Sequence, residues 1–75
     1  MTKEHIQDWL ITAFARVLEI APEELDTSIP FERYGIDSAF AVQLTGDLEK
    51  LLGRSLSPTL LYDYPSIDLL SAHLA

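Results

Sequence analysis

The sequence predicts an all-α fold: a small four-helix bundle of three main helices and one short helix, with a long structured loop between the first and second. Three observations carry this. Apolar residues recur at spacings of three and four over residues 3–20 and 38–52, the period of a helix with one buried face. No run alternates apolar and polar residues with the period of two that a half-buried strand requires. The chain has 75 residues, 48% of them hydrophobic, which suits one small core and a single domain over residues 1–75.

The first helix is expected from Lys3 to Ile20. Thr2 stands where a side-chain oxygen can cap the first turn, and Glu4 puts negative charge near the positive end of the helix dipole. Ile6, Trp9, Leu10, Ala13, Phe14, Val17 and Leu18 form the apolar stripe, with Ile11 an isolated exception off it. The opposite face is acidic or neutral rather than rich in Lys and Arg, so the stripe reads as core and not as a membrane-surface helix.

Residues 21–37 exceed the roughly 12–15 residues above which a connection is usually functional or locally structured. Pro22 followed by Glu23 and Glu24 suits a single helical turn. Leu25, Ile29, Phe31 and Ile36 are apolar pegs for pinning the loop to the core. Pro30 holds Ile29 extended. Gly35 sits where a positive φ lets the chain reverse ahead of Asp37.

The second helix is expected from Ser38 to Leu52, stopped by Gly53. Phe40, Ala41, Leu44, Leu48, Leu51 and Leu52 collect on its core side. Val42 lies near the Ser38 direction, and Ala39, Gln43, Gly46 and Lys50 point farthest from the core. A short helix is expected within Pro58–Tyr64, ended by Pro65. Ser66 caps the last helix, with Asp68 in its first turn and Ile67, Leu70 and Leu74 as its core stripe, Leu69 beside them.

Composition narrows function. The sequence contains no Cys, which excludes disulfides and thiolate metal sites. Five Lys and Arg stand against 12 Asp and Glu, for a net charge of -7. That balance repels nucleic-acid phosphates and anionic membranes and favours partners with basic surfaces, although composition alone also fits simple solubility. No apolar run approaches a membrane span, and Met1-Thr2-Lys3-Glu4-His5 lacks the apolar core of a signal peptide. The expectation is a cytoplasmic monomer with no nucleic-acid or membrane partner.

The stretch Tyr34-Gly35-Ile36-Asp37-Ser38-Ala39-Phe40 carries the chemistry. Asp37 is an N-cap residue and Ser38 the first residue of the helix, so the hydroxyl is held at the positive end of the dipole, where phosphate groups settle readily. Taken alone the pair is only a cap. A nucleophilic serine needs a base and a group orienting that base. Only His5 and His73 could serve, each near a chain end among polar neighbours. No G-x-S-x-G elbow, H-E-x-x-H pair or calcium loop occurs. Ser38 is displayed without being activated, which suits a substrate of another enzyme better than a catalyst.

Gly35-Ile36-Asp37-Ser38 resembles the attachment motif of the acyl carrier protein family, and the similarity runs from about Ile6 to Leu74. Phe31-Glu32-Arg33-Tyr34-Gly35 resembles the lead-in to that motif, and Val42-Gln43-Leu44 the Val-Glu-Leu that follows it. Leu61-Tyr62-Asp63-Tyr64-Pro65-Ser66 resembles the Phe-Asp-Tyr-Pro-Thr run of carrier domains from modular polyketide synthases. Peptide synthetase carriers usually show Gly-Gly-His/Asp-Ser at the attachment point, unlike this chain. Gly46-Asp47-Leu48-Glu49 together with Thr59-Leu60-Leu61-Tyr62 also looks like carriers paired with fatty acyl-AMP ligases.

The resemblance implies that Ser38 receives a 4′-phosphopantetheine group from coenzyme A through a magnesium-dependent phosphopantetheinyl transferase. Asp37 would help hold that magnesium. The arm's thiol would carry an acyl chain as a thioester, loaded by an enzyme such as a fatty acyl-AMP ligase and delivered to a ketosynthase or another synthase domain. The domain itself would be non-catalytic. Aminoacyl carriage and an unmodified helical interaction module are the alternatives. Partners are expected on Ala39, Val42, Gln43 and Gly46 of the second helix and at Leu60 and Leu61. Ala39 and Gln43 depart from the family's usual Leu or Met and Glu, which marks docking as unusual here.

Overall fold

The computed structural model describes all of residues 1–75. Four helices follow in order: α1 (Lys3–Leu18), α2 (Ser38–Leu52), α3 (Leu60–Asp63) and α4 (Ile67–Leu74), with 3-10 turns at Pro22–Glu24 and Phe31–Tyr34 between the first two.

Thr2 caps α1 as its sequence position suggests, its hydroxyl accepting from the His5 N–H at 3.2 Å. The helix ends two residues earlier than expected. Glu19 adopts a left-handed conformation with φ 57°, which only a few per cent of non-glycine residues do. The Ile20 N–H then reaches back to the Ala15 carbonyl at 3.1 Å, closing the end in the manner of a Schellman motif without its usual glycine.

The core is formed by Ile6, Leu10 and Phe14 of α1, Leu25 and Phe31 of the loop, Leu44 and Leu48 of α2, Leu60 and Leu61 of α3, and Ile67, Leu70 and Leu74 of α4. Two stripe assignments are corrected. Val17 is 47% exposed while Ala15 is buried and Ile11 packs on the core, so the buried face of α1 is turned towards Ile11, Ala15 and Leu18. Leu69 is 53% exposed, and Ser71 is fully buried beside Leu70 instead. The Ser71 hydroxyl donates to the Asp68 carbonyl at 3.2 Å, which makes its burial affordable.

The long loop is ordered by specific bonds. The Phe31 N–H donates to the Pro65 carbonyl at 2.7 Å, and the Asp68 N–H to the Thr27 carbonyl at 3.0 Å, so the loop is stitched to the entrance of α4. Tyr34 Oη donates to the Asp26 carbonyl, closing residues 26–34 on themselves. Phe31 stacks on Phe14 at 4.9 Å, and Phe40 meets the same ring edge-on at 5.3 Å. Those three rings tie α1, the loop and the start of α2 together, a geometry worth about 0.5–1.5 kcal/mol per pair beyond area burial.

α2 spans the expected residues and ends at Gly53, φ 67°. Its Glu49 carboxylate accepts from the Leu56 N–H at 2.8 Å and so folds the next loop against the helix. α3 is a single turn within the expected Pro58–Tyr64, and Ser57 and Thr59 form a turn of their own ahead of it: Ser57 Oγ accepts from the Thr59 N–H at 3.2 Å.

Candidate functional site

The approach to α2 is built from backbone conformation. Gly35 has φ 69°, and nothing lies within 4 Å of where a Cβ would stand, so the glycine is there for its dihedral angles and not for space. The chain then returns to extended geometry at Asp37, φ -88° and ψ 172°, and Asp37 Oδ1 accepts from the Phe40 N–H at 2.8 Å. That is the N-cap bond. Ser38 is the first residue of a 15-residue helix and is exposed to solvent.

No base addresses the Ser38 hydroxyl. His5 Nδ1 is hydrogen-bonded to Thr2 Oγ1 at 3.1 Å, and the His73 ring stacks on Tyr64 at 3.8 Å. No group of three or more His, Cys, Asp or Glu side chains is arranged to hold a metal. No helix is long and apolar enough to cross a membrane.

The residues named for docking divide in two. Ala39, Val42 and Gln43 are exposed on α2, Val42 at 73%, and Gly46 on the same side has open space where a Cβ would be. Leu60 and Leu61, by contrast, are 3% and 8% exposed and belong to the core. Their expected place on the docking side is corrected: the single turn of α3 points both leucines inward, which turns the next residue, Tyr62, outward. Tyr62 is 76% exposed and was not singled out by the sequence pattern. The signal was present, since two adjacent inward residues on a helix leave the third on the far side.

A pocket of about 360 Å³ opens beside Ser38. Phe31, Ile36, Ala41, Leu61 and Pro65 give it apolar walls, with Glu32, Asp37 and Tyr62 also lining it. An exposed hydroxyl at a helix N-terminus, on the edge of an apolar trough, fits a group that is anionic at its attached end and largely uncharged beyond it.

The loop carries the two perturbed ionisable groups. Hydrogen bonds from the Ser28 hydroxyl and N–H hold the Asp26 carboxyl below its ordinary range. Partial burial pushes the Tyr34 hydroxyl up, so it stays a proton donor to Asp26 at any physiological pH.

The chain matches the family model for the phosphopantetheine attachment site over residues 8–74. It belongs to that family. The carrier domain is 41% identical over 61 residues to polyketide synthase PksL of Bacillus subtilis, covering 81% of this chain and 1% of that protein. The chain therefore spans only a small part of that relative's length. It is 40% identical to an acyl carrier protein from Anabaena sp. PCC 7120 with a variant phosphopantetheinylation-site sequence. That structure superposes with a TM-score of 0.91, covering 99% of this chain and 84% of that one. It is 38% identical to a free-standing peptidyl carrier protein from Acinetobacter baumannii, with a TM-score of 0.88 over 97% of this chain and 91% of that one.

The protein is thus an acyl carrier domain, all-helical, whose prosthetic group is 4′-phosphopantetheine. Carrier domains of this family are modified by phosphopantetheinyl transferases, work with the catalytic domains of their synthases, and are generally non-catalytic themselves.

Proposed function

We propose that Ser38 is the attachment residue and that the domain carries acyl thioesters in polyketide or lipid-like natural product biosynthesis, in the cytoplasm and as a monomer. The observation that carries this is Ser38 itself: exposed, first in α2, behind a capping aspartate and at the edge of an apolar pocket. The arm supplies a thiol that holds the acyl group, which the chain, having no Cys, does not.

The chain's own residues prepare the attachment. Ser38 Oγ would take the phosphopantetheinyl group from coenzyme A, the new Oγ–P bond replacing the broken pyrophosphate bond and adenosine 3′,5′-bisphosphate leaving; the Oγ proton would pass to the transferase, since no side chain of this chain is hydrogen-bonded to that hydroxyl. A phosphate attached to Ser38 would be held at the N-terminal end of α2, where free N–H groups and the dipole favour an anion. Asp37 uses Oδ1 for the cap, and Oδ2 is left to meet the transferase's magnesium.

Partners are proposed to dock on Ala39, Val42, Gln43 and Gly46, with Asp37 and Asp47 steering basic surfaces and raising the on-rate more than the final affinity. The loading enzyme would be a fatty acyl-AMP ligase and the recipient a ketosynthase. The resemblance of Gly46–Glu49 and Thr59–Tyr62 to carriers of that type supports this, as does the polyketide synthase relative. A second reading, aminoacyl carriage, rests on the 38% identity to a peptidyl carrier.

The test is intact-mass analysis after incubation with coenzyme A and a broad-specificity transferase. One phosphopantetheine should be added to wild type and none to Ser38→Ala; a Ser38→Ala protein that gains the mass overturns the assignment. Loading of the holo protein by fatty acyl-AMP ligases and by amino-acid adenylating enzymes, read by the same method, decides between the two cargoes.

A further inference from the structure

Tyr34 is half-buried at the end of the second 3-10 turn, and its ring lies tilted against Phe14 at 6.4 Å. Its hydroxyl donates to the Asp26 carbonyl, eight residues back along the chain. The acceptor is held from several sides. The same carbonyl accepts from the Ile29 N–H at 3.3 Å, and the Asp26 carboxylate accepts from the Ser28 N–H at 2.9 Å and the Ser28 hydroxyl at 2.6 Å. Next to it, the Thr27 carbonyl accepts from the Asp68 N–H at 3.0 Å, which fixes this end of the clasp to the entrance of α4. The donor end has fewer ties. After the Phe31 N–H to Pro65 carbonyl bond at 2.7 Å, the backbone bonds run within the turn itself, from the Arg33 N–H to Pro30 and from the Gly35 N–H to Glu32, until Asp37 caps α2. The Tyr34 hydroxyl thus makes the last hydrogen bond that reaches outside this turn before Ser38.

We propose that Tyr34 is a positioning residue for the modification of Ser38: its hydroxyl, clasped to the Asp26 carbonyl, holds residues 32–37 in the conformation that the transferase binds. This rests on Ser38 being the attachment residue. The residue after the clasp is Gly35, at φ 69°, and a glycine has other backbone conformations open to it once its neighbour is released. The ring alone specifies less, because an apolar contact is non-directional whereas a hydrogen bond fixes where the para oxygen sits. Partial burial keeps that hydroxyl protonated, and so donating, at physiological pH. Without the clasp the segment is closed only part of the time. A transferase that binds the closed form then has its apparent affinity reduced by the closed fraction. Ser38 Oγ, once bound, reacts as before, so the loss falls on KM and not on kcat.

Wild type, Tyr34→Phe and Tyr34→para-aminophenylalanine would be modified from coenzyme A by a broad-specificity transferase, with initial rates read by intact mass over a range of carrier concentrations. Tyr34→Phe keeps the ring and loses only the donor. Its KM should rise about two- to five-fold with kcat unchanged, the size expected when one neutral hydrogen bond stops holding the closed form. Tyr34→para-aminophenylalanine restores a para donor and should bring KM back towards wild type. Arg54→Ala is the control for general loss of stability. It removes the bond from the Arg54 guanidinium to the Leu74 carbonyl, made just past the far end of α2, about 22 Å along the helix from Ser38. It should lower the melting temperature and leave KM alone, because a protein that is still folded at the assay temperature presents the same closed segment. A wild-type KM in Tyr34→Phe overturns the proposal. So does an equal rise in Arg54→Ala, which would make the effect one of stability, a loss confined to kcat, or a para-amino variant that behaves as Tyr34→Phe does. Absence of the phosphopantetheine adduct on wild type overturns the Ser38 assignment, and this inference with it, whereas an adduct formed with the same KM in wild type and Tyr34→Phe overturns this inference alone.

Discussion

The carboxylate of Asp37 accepts from the Phe40 N–H ahead of Ser38. The same side chain is proposed to meet the transferase's magnesium, and substitution separates the two roles. Asp37→Ser keeps an N-cap oxygen and loses the negative charge, so melting temperature should hold while phosphopantetheine transfer slows. Asp37→Ala should lose both, with a stability cost of about 1 kcal/mol. Equal transfer rates for Asp37→Ser and wild type would remove the magnesium role and leave only the cap. Two residues earlier, Gly35→Val forces a β-branched side chain to φ 69°. The left-handed region costs ordinary residues roughly 1–2 kcal/mol, and a β-branched one more. Since a Cβ would meet open space, the cost is one of dihedral angle, and Gly35→Ala should be the milder of the two in both thermal melts and modification rate. Asp26 adds a pH signature. Its carboxyl is held below the ordinary value of 3.8 in the folded loop. A depressed carboxyl stabilises the fold above its unfolded pKa, and that contribution is lost as pH falls through the folded value. Acidification below about 3.8 should therefore loosen residues 26–34 first, seen as loss of the Ser28 amide's protection from exchange.

At the scale of the element, α2 was the most legible part of the chain and α3 the least. The cap at Asp37, the three-and-four spacing of Leu44, Leu48 and Leu51, and the stop at Gly53 are all local signals, and the helix has the bounds they imply. α3 has a single turn, too short for a period to establish which residues face in. Its leucines are buried because α2 and α4 leave an apolar gap for them, which is tertiary information. The same holds for Val17, Leu69 and Ser71: a stripe marks a helix as amphipathic, but the neighbour it packs against decides where the stripe's edge falls. The site was legible as Asp37 and Ser38, while the pocket was not, because its walls come from four separate parts of the chain: the loop, the first turn of α2, α3 and the residue before Ser66. Gly46 tests what α2 is for. In a helix interior it costs about 0.8–1 kcal/mol relative to Ala, and open space around it means no core contact requires it. Gly46→Leu should raise the melting temperature, and Val42→Asp should leave it near wild type because Val42 is exposed. If the face docks partners, both variants should slow acyl transfer from a cognate ligase or to a ketosynthase. Wild-type transfer in both would leave the glycine without a functional reason.

For the molecule as a whole, the site depends on a core that is small. A domain of 75 residues has a total stability of roughly 4–11 kcal/mol at the usual 0.05–0.15 kcal/mol per residue. Phe14 is fully buried, stacks on Phe31 of the loop and meets Phe40 of α2 edge-on, so one ring connects α1 to both sides of the Gly35–Asp37 turn. Phe14→Ala removes that connection and leaves a cavity, at about 3–5 kcal/mol. That is a large fraction of what holds the domain together, and the loss falls where the loop is attached to the helix that carries Ser38. The expected result is a steep drop in melting temperature together with slower phosphopantetheine transfer. Phe14→Leu, which fills more of the space but cannot stack, should keep most of the stability while still loosening the loop. The check is amide exchange at Phe31 to Phe40 compared with Leu70 to Leu74 in Phe14→Leu. If the ring couples core to site, protection falls first in the segment that delivers Ser38; a uniform fall over both segments would make Phe14 an ordinary core residue whose loss reaches the site only through global unfolding.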